Sequence, residues 1–273
     1  MNKKVRLKNI GKSYKNFRMT RKVFSYPYIL FLVLFVVIPL VLVLVYAFLD
    51  AQNNLTVHNF VALFADGASI KVLLTSLLVG VVTTTLCLIL GYPVAYILSK
   101  YRSGRVLVLL FVLPMWVNFL IRTLATKAIF VALDISLGMG TVLFGMVYNF
   151  LPFMILPLHT TISSLDKSYM EAARDLGADR LTVFVKTVLP LSIPGIISGM
   201  TMVFIPTIST FAISQFLSDY TIFLFGDSIQ TKFSNNMYGV GSVMSLIMII
   251  LVLISNTVMS KVNKGENIGR NLW

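Results

Sequence analysis

Residues 30–38 read LFLVLFVVI, a run that is apolar on every face of any element it forms. It lies inside residues 23–49, which contain no Asp, Glu, Lys or Arg. A helix needs about 20 residues to cross the roughly 30 Å hydrocarbon layer of a membrane. Transmembrane β-strands instead alternate in polarity over segments of about 10 residues. The run therefore predicts a first transmembrane helix over 23–49 and excludes a barrel.

The composition of the whole chain supports this interpretation. Of its 273 residues, 57% are hydrophobic and 12% are charged, whereas soluble domains average about 25% charged residues. The net charge of +13 therefore belongs to a protein in a lipid bilayer, and we expect no nucleic-acid partner. The single cysteine, Cys87, excludes an intramolecular disulfide and a cysteine metal site. Because His58 and His159 have no companion at metal-ligand spacing, no metal and no cofactor is expected.

Six stretches lack charged residues and predict six transmembrane helices. We expect an all-α polytopic membrane protein, with a transmembrane domain over 70–260 after the first helix. Its five predicted spans are 72–99, 106–125, 140–161, 190–213 and 239–260.

The distribution of basic residues predicts the orientation of these helices. Nineteen of the 23 Lys and Arg residues fall in the tails 1–22 and 261–273 and in the second and fourth loops, all on one face. Cytoplasmic loops carry such an excess of Lys and Arg. Both termini are therefore predicted to be cytoplasmic.

The fourth loop, 164–190, carries helix signals on the predicted cytoplasmic side. Ser164 or Asp166 can cap a first helix, Gly177 fits the left-handed residue after a helix end, and Asp179 can cap a second helix. Leu189-Pro190 is expected to end that second helix at the membrane. Two apolar stripes are predicted, one on each helix: Leu165, Tyr169, Ala172, Ala173 and Leu176 on the first, and Leu181, Phe184, Val185 and Val188 on the second. A docking surface for a soluble partner and an ordinary loop that packs on its neighbours both remain open.

This loop resembles a motif of the membrane subunits of type I ABC importers. The matching residues are Glu171-Ala172-Ala173, then Gly177 after three residues, and Leu189-Pro190, with Thr187 where isoleucine is usual. The resemblance implies a type I ABC importer permease fold and a coupling loop seated on a separate ATPase. The implied coupling residues are Glu171, Ala172, Ala173, Asp175, Gly177, Leu189 and Pro190, with Glu171 facing the ATPase and Gly177 making the turn.

Four blocks narrow the resemblance to the first of the two permeases of spermidine/putrescine importers. They are LGYPVAY at 90–96, PMWVNFLIRT at 114–123, LPFMILPL at 151–158, and LDKSYMEAARDLGA at 165–178. The resemblance implies a non-catalytic subunit in a bacterial cytoplasmic membrane that forms half of a polyamine pore. Its implied partners are a second homologous permease, two copies of an ABC ATPase and an extracytoplasmic polyamine-binding protein. Two departures, a short loop after Arg122 and Leu217-Ser218-Asp219 in place of a glycine-rich turn, lie where substrate would enter.

A dehydrated polyamine would need aromatic faces and oxygen atoms along its path, because a cation over an aromatic ring gains about 0.5 to 2 kcal/mol. The candidate lining residues are Trp116, Asn118, Tyr148 and Asn149; packing or an interfacial belt is the alternative for each. Asp219 and Asp227 are candidates to meet the cation or the binding protein outside, or are solvated loop charges. Arg122 is expected to anchor its helix at the interface or to pair with an acid. Gly195 and Gly199 predict a close helix contact, with the partner permease as one candidate neighbour.

Other functions remain as alternatives. A permease for another solute, such as an inorganic anion or ferric ion, would share the same motifs. A secondary transporter would need internal repeats and intramembrane ionisable groups, and an intramembrane enzyme would need a motif such as GxSxG or HExxH. The six stretches without Asp, Glu, Lys or Arg contain neither motif, and no repeat relates the two halves of the sequence.

Overall fold

The structure is a computed structural model that describes residues 21–270 except residues 51, 53, 102 and 103. The predicted tail 1–22 lies outside the described residues apart from its last two, and so does the end of the predicted tail 261–273. The chain divides into two units, Met1–Leu42 and Val43–Trp273. All packing described below lies within the second unit.

The described residues are almost entirely helical, with one isolated antiparallel bridge between Leu49 and Leu55. A π-helical turn, Val33–Val37, separates the first two helices, a 3-10 turn, Leu113–Trp116, follows the fifth, and a second π-helical turn, Phe184–Val188, follows the ninth. The helices are α1 (Arg21–Leu32), α2 (Ile38–Ala47), α3 (His58–Ala65), α4 (Gly67–Lys100), α5 (Gly104–Val112), α6 (Phe119–Ala132), α7 (Met139–Ser163), α8 (Lys167–Asp175), α9 (Arg180–Val183), α10 (Leu189–Leu191), α11 (Ile193–Ser209), α12 (Ile213–Leu217), α13 (Phe225–Ser234) and α14 (Tyr238–Arg270).

Four described helices are long and apolar enough to cross a membrane: Ser25–Ala47, Gly67–Lys100, Met139–Ser163 and Tyr238–Lys261. Two bent pairs also qualify if each pair counts as one span: Val106–Trp116 with Phe119–Ala132, and Arg180–Leu191 with Ile193–Ser209. Within the described ranges, the chain therefore has four to six candidate spans.

The predicted third span, 106–125, is broken rather than continuous. Its two halves meet at 90°. Pro114 lies in the 3-10 turn Leu113–Trp116, and Val117 and Asn118 have extended ψ angles. Proline cannot continue an α-helical hydrogen-bond ladder, whereas asparagine is a good N-cap. The chain therefore stops one helix and starts another, and α6 continues to Ala132, seven residues past the predicted end.

The centre of the second unit is formed by α4, α7 and α11. A Cβ atom at Gly195 would lie 2.6 Å from Thr161 Oγ1, and one at Gly199 would lie 2.6 Å from Met154 Sδ. Both glycines therefore let α11 approach α7 of the same chain. The predicted glycine contact exists inside this chain, so the second permease is not needed to explain it.

Candidate functional site

The first helix of the 164–190 loop begins and ends as the local sequence predicts. Asp166 Oδ1 accepts a hydrogen bond from the Ser168 backbone N–H at 3.0 Å, which selects Asp166 over Ser164 as the cap. Hydrogen bonds from Ser168 hold the pKa of the Asp166 carboxyl below its usual value. At the other end, Gly177 has φ +83°, and its N–H donates to the Arg174 carbonyl while Ala178 N–H donates to Ala173. This pair of bonds is a Schellman motif.

The second helix of the loop is capped as predicted and ends within one residue of the predicted stop. Asp179 Oδ1 accepts from the Thr182 N–H at 3.0 Å, and the hydrogen bonds from Thr182 lower its pKa. Leu189 and Pro190, the expected stop, form the short helix α10, and the chain bends by 62° only after Leu191. Pro190 follows the π-helical turn Phe184–Val188 within this continuous helical run, and proline cannot donate to the helical hydrogen-bond ladder.

The two predicted apolar stripes do not lie on single faces. Leu165 and Ala173 pack against the core, together with Met170. Tyr169 is exposed, and Leu176 is 89% exposed. Of the predicted second stripe, Leu181 and Val185 are exposed, whereas Phe184 and Val188 contribute to the core. Because exposed apolar surface is costly unless a partner covers it, the loop presents apolar groups outward.

Most of the predicted coupling residues lie on the outside of this loop. The exposed ones are Glu171, Ala172, Asp175, Gly177 and Pro190, while Ala173 and Leu189 are half-buried against the core. Glu171 also lines a pocket of about 700 Å³ between the loop and the end of α4, together with Lys100, Arg174 and Arg180.

A second cavity, here called the Trp116 cavity, has a volume of about 460 Å³. Its walls come from three distant segments, 115–122, 149–153 and 206–213. Trp116, Asn118 and Asn149, three of the four predicted lining residues, border it, whereas Tyr148 is not among its lining residues. The structure thus brings three predicted residues together from two parts of the sequence.

The polar side chains of the Trp116 cavity are positioned by their helices. Asn118 Oδ1 accepts from the Leu120 N–H at 2.8 Å and starts α6. Asn149 Nδ2 donates to the Gly145 carbonyl at 2.8 Å, and its buried Oδ1 has no hydrogen-bond partner among the described residues. Trp116, at the 90° break, is 82% exposed. An amide oxygen and an indole are therefore available at this cavity.

Arg122 is a cavity residue that the sequence analysis did not assign to the pathway. It lies in the first turn of α6, and its Nε and Nη1 atoms are buried without a hydrogen-bond acceptor in the described part of the chain. Its Cζ atom lies 5.8 Å from the centre of the Tyr148 ring. The expected pairing with an acid is not found among the described residues. The sequence signals that could have indicated this position are Pro114 and Asn118. They predict a helix break and a new helix start just before Arg122.

The two predicted outer acids have different environments. Asp219 forms an exposed ion pair with Lys127, with Oδ1 3.0 Å from Nζ. Asp227 is fully buried, where Oδ1 accepts from the Ala212 N–H at 2.7 Å and Oδ2 accepts from the Leu224 N–H at 2.8 Å and from the Ser214 hydroxyl. Burial raises the pKa of Asp227 despite these bonds. Asp227 is therefore a structural clamp on the 210–224 segment and not the solvated or substrate-facing charge that the sequence suggested.

Comparison with known proteins places these features in a family. A family model described as a binding-protein-dependent transport system inner membrane component matches residues 87–265. The chain belongs to this family. It is thus a non-catalytic, multi-pass subunit of an ABC importer in the cytoplasmic membrane.

Relatives of this permease family support the assignment. The chain is 35% identical over 260 residues to the spermidine/putrescine transport system permease protein PotB of Haemophilus influenzae, covering 85% of this chain and 90% of that protein. It is also 35% identical over 229 residues to PotB of Escherichia coli, covering 75% and 83% of the two chains.

Solved permease structures share the fold. A chain of an inward-facing MetNI methionine ABC transporter matches with a TM-score of 0.57 and 16% identity, over 74% of this chain and 99% of that chain. A chain of a bacterial ABC transporter that imports alginate matches with a TM-score of 0.63 and 14% identity, over 88% and 95%. The predicted type I ABC importer permease fold is confirmed.

Proposed function

We propose that this chain is the first of two permeases in an ATP-driven importer of polyamines, spermidine or putrescine. The observation that carries the proposal is the 35% identity to PotB of H. influenzae over 85% of this chain. The complete transporter would contain a second homologous permease, two copies of an ATPase and an extracytoplasmic polyamine-binding protein. Both termini and the 164–190 loop would face the cytoplasm, as the distribution of Lys and Arg favours.

The Trp116 cavity is the proposed substrate pathway. It offers groups that stabilise an ammonium ion without full hydration: the Trp116 ring, the Asn149 amide oxygen and the hydroxyls of Ser209 and Thr210. Because Trp116 is largely exposed in the single chain, a neighbouring subunit would complete the wall of the pathway.

The 164–190 loop is the proposed coupling element. Its capped, glycine-terminated helix α8 is a compact body, and its outward apolar groups include Leu176. The ATPase would hold α8 and move it during the ATP cycle. Since α7 leads directly into this loop and also borders the Trp116 cavity, movement of the loop would reach the pathway through α7.

A second candidate solute is an inorganic anion. The observation that favours it is Arg122, whose guanidinium lines the Trp116 cavity without an acidic partner among the described residues. Competition decides between the two classes. In an anion importer, excess unlabelled phosphate or sulfate would suppress uptake of the labelled anion. In a polyamine importer, the same excess would leave uptake of labelled spermidine unchanged.

The test of the proposed function is uptake of labelled spermidine into cells that lack other polyamine importers. Cells with this chain, cells without it, and cells with Glu171→Gln would be compared at matched membrane abundance. Asp134→Asn removes another exposed carboxylate outside the loop and is the matched control. We expect uptake to be lost on deletion, reduced by Glu171→Gln and unchanged by Asp134→Asn. Unchanged uptake after deletion would contradict the polyamine assignment, and loss on deletion alone would remove the role of Glu171.

A further inference from the structure

The position of Arg122 is unusual for a chain proposed to carry cations. Its side chain lines the Trp116 cavity, and two of its three guanidinium nitrogens, Nε and Nη1, are buried. A buried guanidinium normally has carboxylate or carbonyl acceptors, because burying an unpaired charge is costly. Here neither atom has an acceptor among the residues that the structure describes.

No described acidic side chain around Arg122 neutralises its positive charge. The described residues that line the cavity include no Asp or Glu. Among the side chains that the structure describes, the ion pair that forms is Lys127–Asp219, which does not involve Arg122. The ring of Tyr148, 5.8 Å from Cζ, is the aromatic group that faces the guanidinium. A cation–π contact of this kind holds the side chain in position but does not neutralise it.

A fixed positive charge in a cavity whose walls are partly apolar raises the local potential, because field lines concentrate where the dielectric is low. Such a charge excludes small cations from a narrow path, as arginine does in selective pores. A transporter that opens a path for an organic cation needs this exclusion, since protons and alkali ions are far more abundant than its substrate.

We propose that Arg122 is a charge barrier in the substrate pathway, held over Tyr148, that excludes inorganic cations while no substrate is being moved. The proposal rests on the assignment of the Trp116 cavity as the pathway. No ion pair holds the guanidinium within the described residues, so the side chain can leave the cavity during the ATP cycle without breaking a salt bridge. The aromatic and amide groups around it then become available to an ammonium group of the substrate.

The experiment measures ion leak through the complete transporter in proteoliposomes. Efflux of labelled rubidium is recorded without ATP and without binding protein, and ATP-driven spermidine uptake is recorded in the same preparations. The variants are Arg122→Gln, which removes the charge, and Arg122→Lys, which keeps it. Lys71→Gln is the matched control, because Lys71 is an exposed cation outside the cavity.

We expect Arg122→Gln to raise rubidium efflux at least about fivefold, while Arg122→Lys and Lys71→Gln stay at the wild-type level. Efflux from Arg122→Gln that equals wild type would overturn the barrier. So would loss of spermidine uptake without added leak, because that result indicates a structural or partner-binding role. If Arg122→Gln does not assemble, rubidium efflux is measured with Tyr148→Leu, which removes the ring that holds the guanidinium. Raised efflux from this variant would support the barrier, and efflux equal to wild type would overturn it.

The leak measurement is independent of the transported solute. If the wild-type transporter fails to take up spermidine, the polyamine assignment falls. The comparison of rubidium efflux between Arg122→Gln and wild type still decides whether Arg122 is a barrier.

Discussion

The Trp116 cavity and the 164–190 loop are about 20 Å apart along α7, given 1.5 Å per helical residue between Asn149 and Ile162. The loop and the cavity differ in which side chains they expose and which they bury. The loop exposes charged and apolar side chains and its first helix buries none of its residues. The cavity carries buried polar atoms of Arg122 and Asn149 that lack hydrogen-bond partners in the described part of the chain.

This difference separates two physical tasks. A loop stabilised by its own caps keeps its shape while a partner binds its outer surface and releases it. A cavity assembled from distant segments depends on the packing of the whole bundle, and its unsatisfied polar atoms are ready to interact with a transient occupant. Perturbing the bundle should therefore damage the cavity strongly, whereas perturbing the loop should reduce coupling and leave the fold intact.

The largest effect is expected at Gly226, beside the cavity-lining segment 206–213. A side chain there would collide with the backbone carbonyl oxygens of Ser209 and Thr210. Because backbone cannot move aside as a flexible side chain can, Gly226→Val should cost about 3 kcal/mol, the upper end of the usual range for overpacking, measured as a lower Tm of the detergent-solubilised protein. Gly140→Val is the control, since a Cβ atom at Gly140 would meet no packing partner within 4 Å among the described residues. Equal Tm values for the two variants would show that this segment is not tightly packed.

The next effect is expected at Asp227. Replacing it with Asn turns an NH₂ group toward the donors that the carboxylate now satisfies, and leaving a buried donor unpaired costs about 1–3 kcal/mol. We expect Asp227→Asn to lower the Tm, with Asp134→Asn, an exposed acid, unchanged.

The pH dependence of Asp227 sharpens this test. Because burial raises its pKa in the folded state, the protonated form favours folding, and this contribution is full below the unfolded pKa of about 3.9. It is lost as the pH rises through the raised folded pKa. The difference in Tm between wild type and Asp227→Asn should therefore change across this pH range. A constant difference would contradict the assigned role of burial.

A smaller effect is expected at the exposed Leu176 of the loop. Leu176→Ser should lower ATP-driven uptake about tenfold, equivalent to about 1.4 kcal/mol of lost docking, without changing the Tm, because the side chain is 89% exposed. Leu55→Ser, at 85% exposure outside the loop, is the matched control. Normal uptake by Leu176→Ser would show that this face of the loop does not bind the ATPase.

The smallest effect is expected from acid acting on the loop caps. The pKa values of Asp166 and Asp179 are lowered by their cap hydrogen bonds, so their contribution to loop stability is present above about pH 3.9. It is lost as the pH falls through the lower folded values. The protection of residues 166–183 against hydrogen exchange, taken relative to the intrinsic exchange rate at each pH, should fall in this range in wild type but not in a variant with both caps replaced by Asn, which caps at any pH. An equal loss of protection in both proteins would assign the change to other groups.

The loop was more predictable from the sequence than the cavity. Asp166, Gly177 and Asp179 act on backbone groups within a few residues of themselves, so their types and spacing are sufficient for the prediction. The stop expected at Leu189-Pro190 lies one residue before the end of the helical run at Leu191, where the chain bends by 62°. The sequence could not show that Tyr169 and Leu176 are exposed while Leu165 and Ala173 pack against the core. Periodicity assigns apolar residues to one stripe but does not say which of them the rest of the chain covers.

The cavity depends on contacts between distant residues. Arg122 faces Tyr148, and Asp227 binds the backbone at Ala212 and Leu224. These pairings follow from the 90° break before α6 and from the packing of α7 against α11. Residue type suggested Trp116, Asn118 and Asn149 as pathway candidates, and these three line one cavity. Residue type could not distinguish the buried Asp227 from the exposed Asp219.

The most direct test of the proposed pathway uses the single cysteine of the chain. Cys87, which is buried, would first be replaced by serine, and Val117→Cys would then place one thiol on the wall of the Trp116 cavity. Reaction of that thiol with a charged methanethiosulfonate reagent would be followed in the assembled transporter during ATP turnover, with and without spermidine. We predict that modification blocks spermidine uptake and that spermidine slows the reaction. Modification at the same rate with and without spermidine, with uptake intact, would contradict the assignment of this cavity as the substrate pathway.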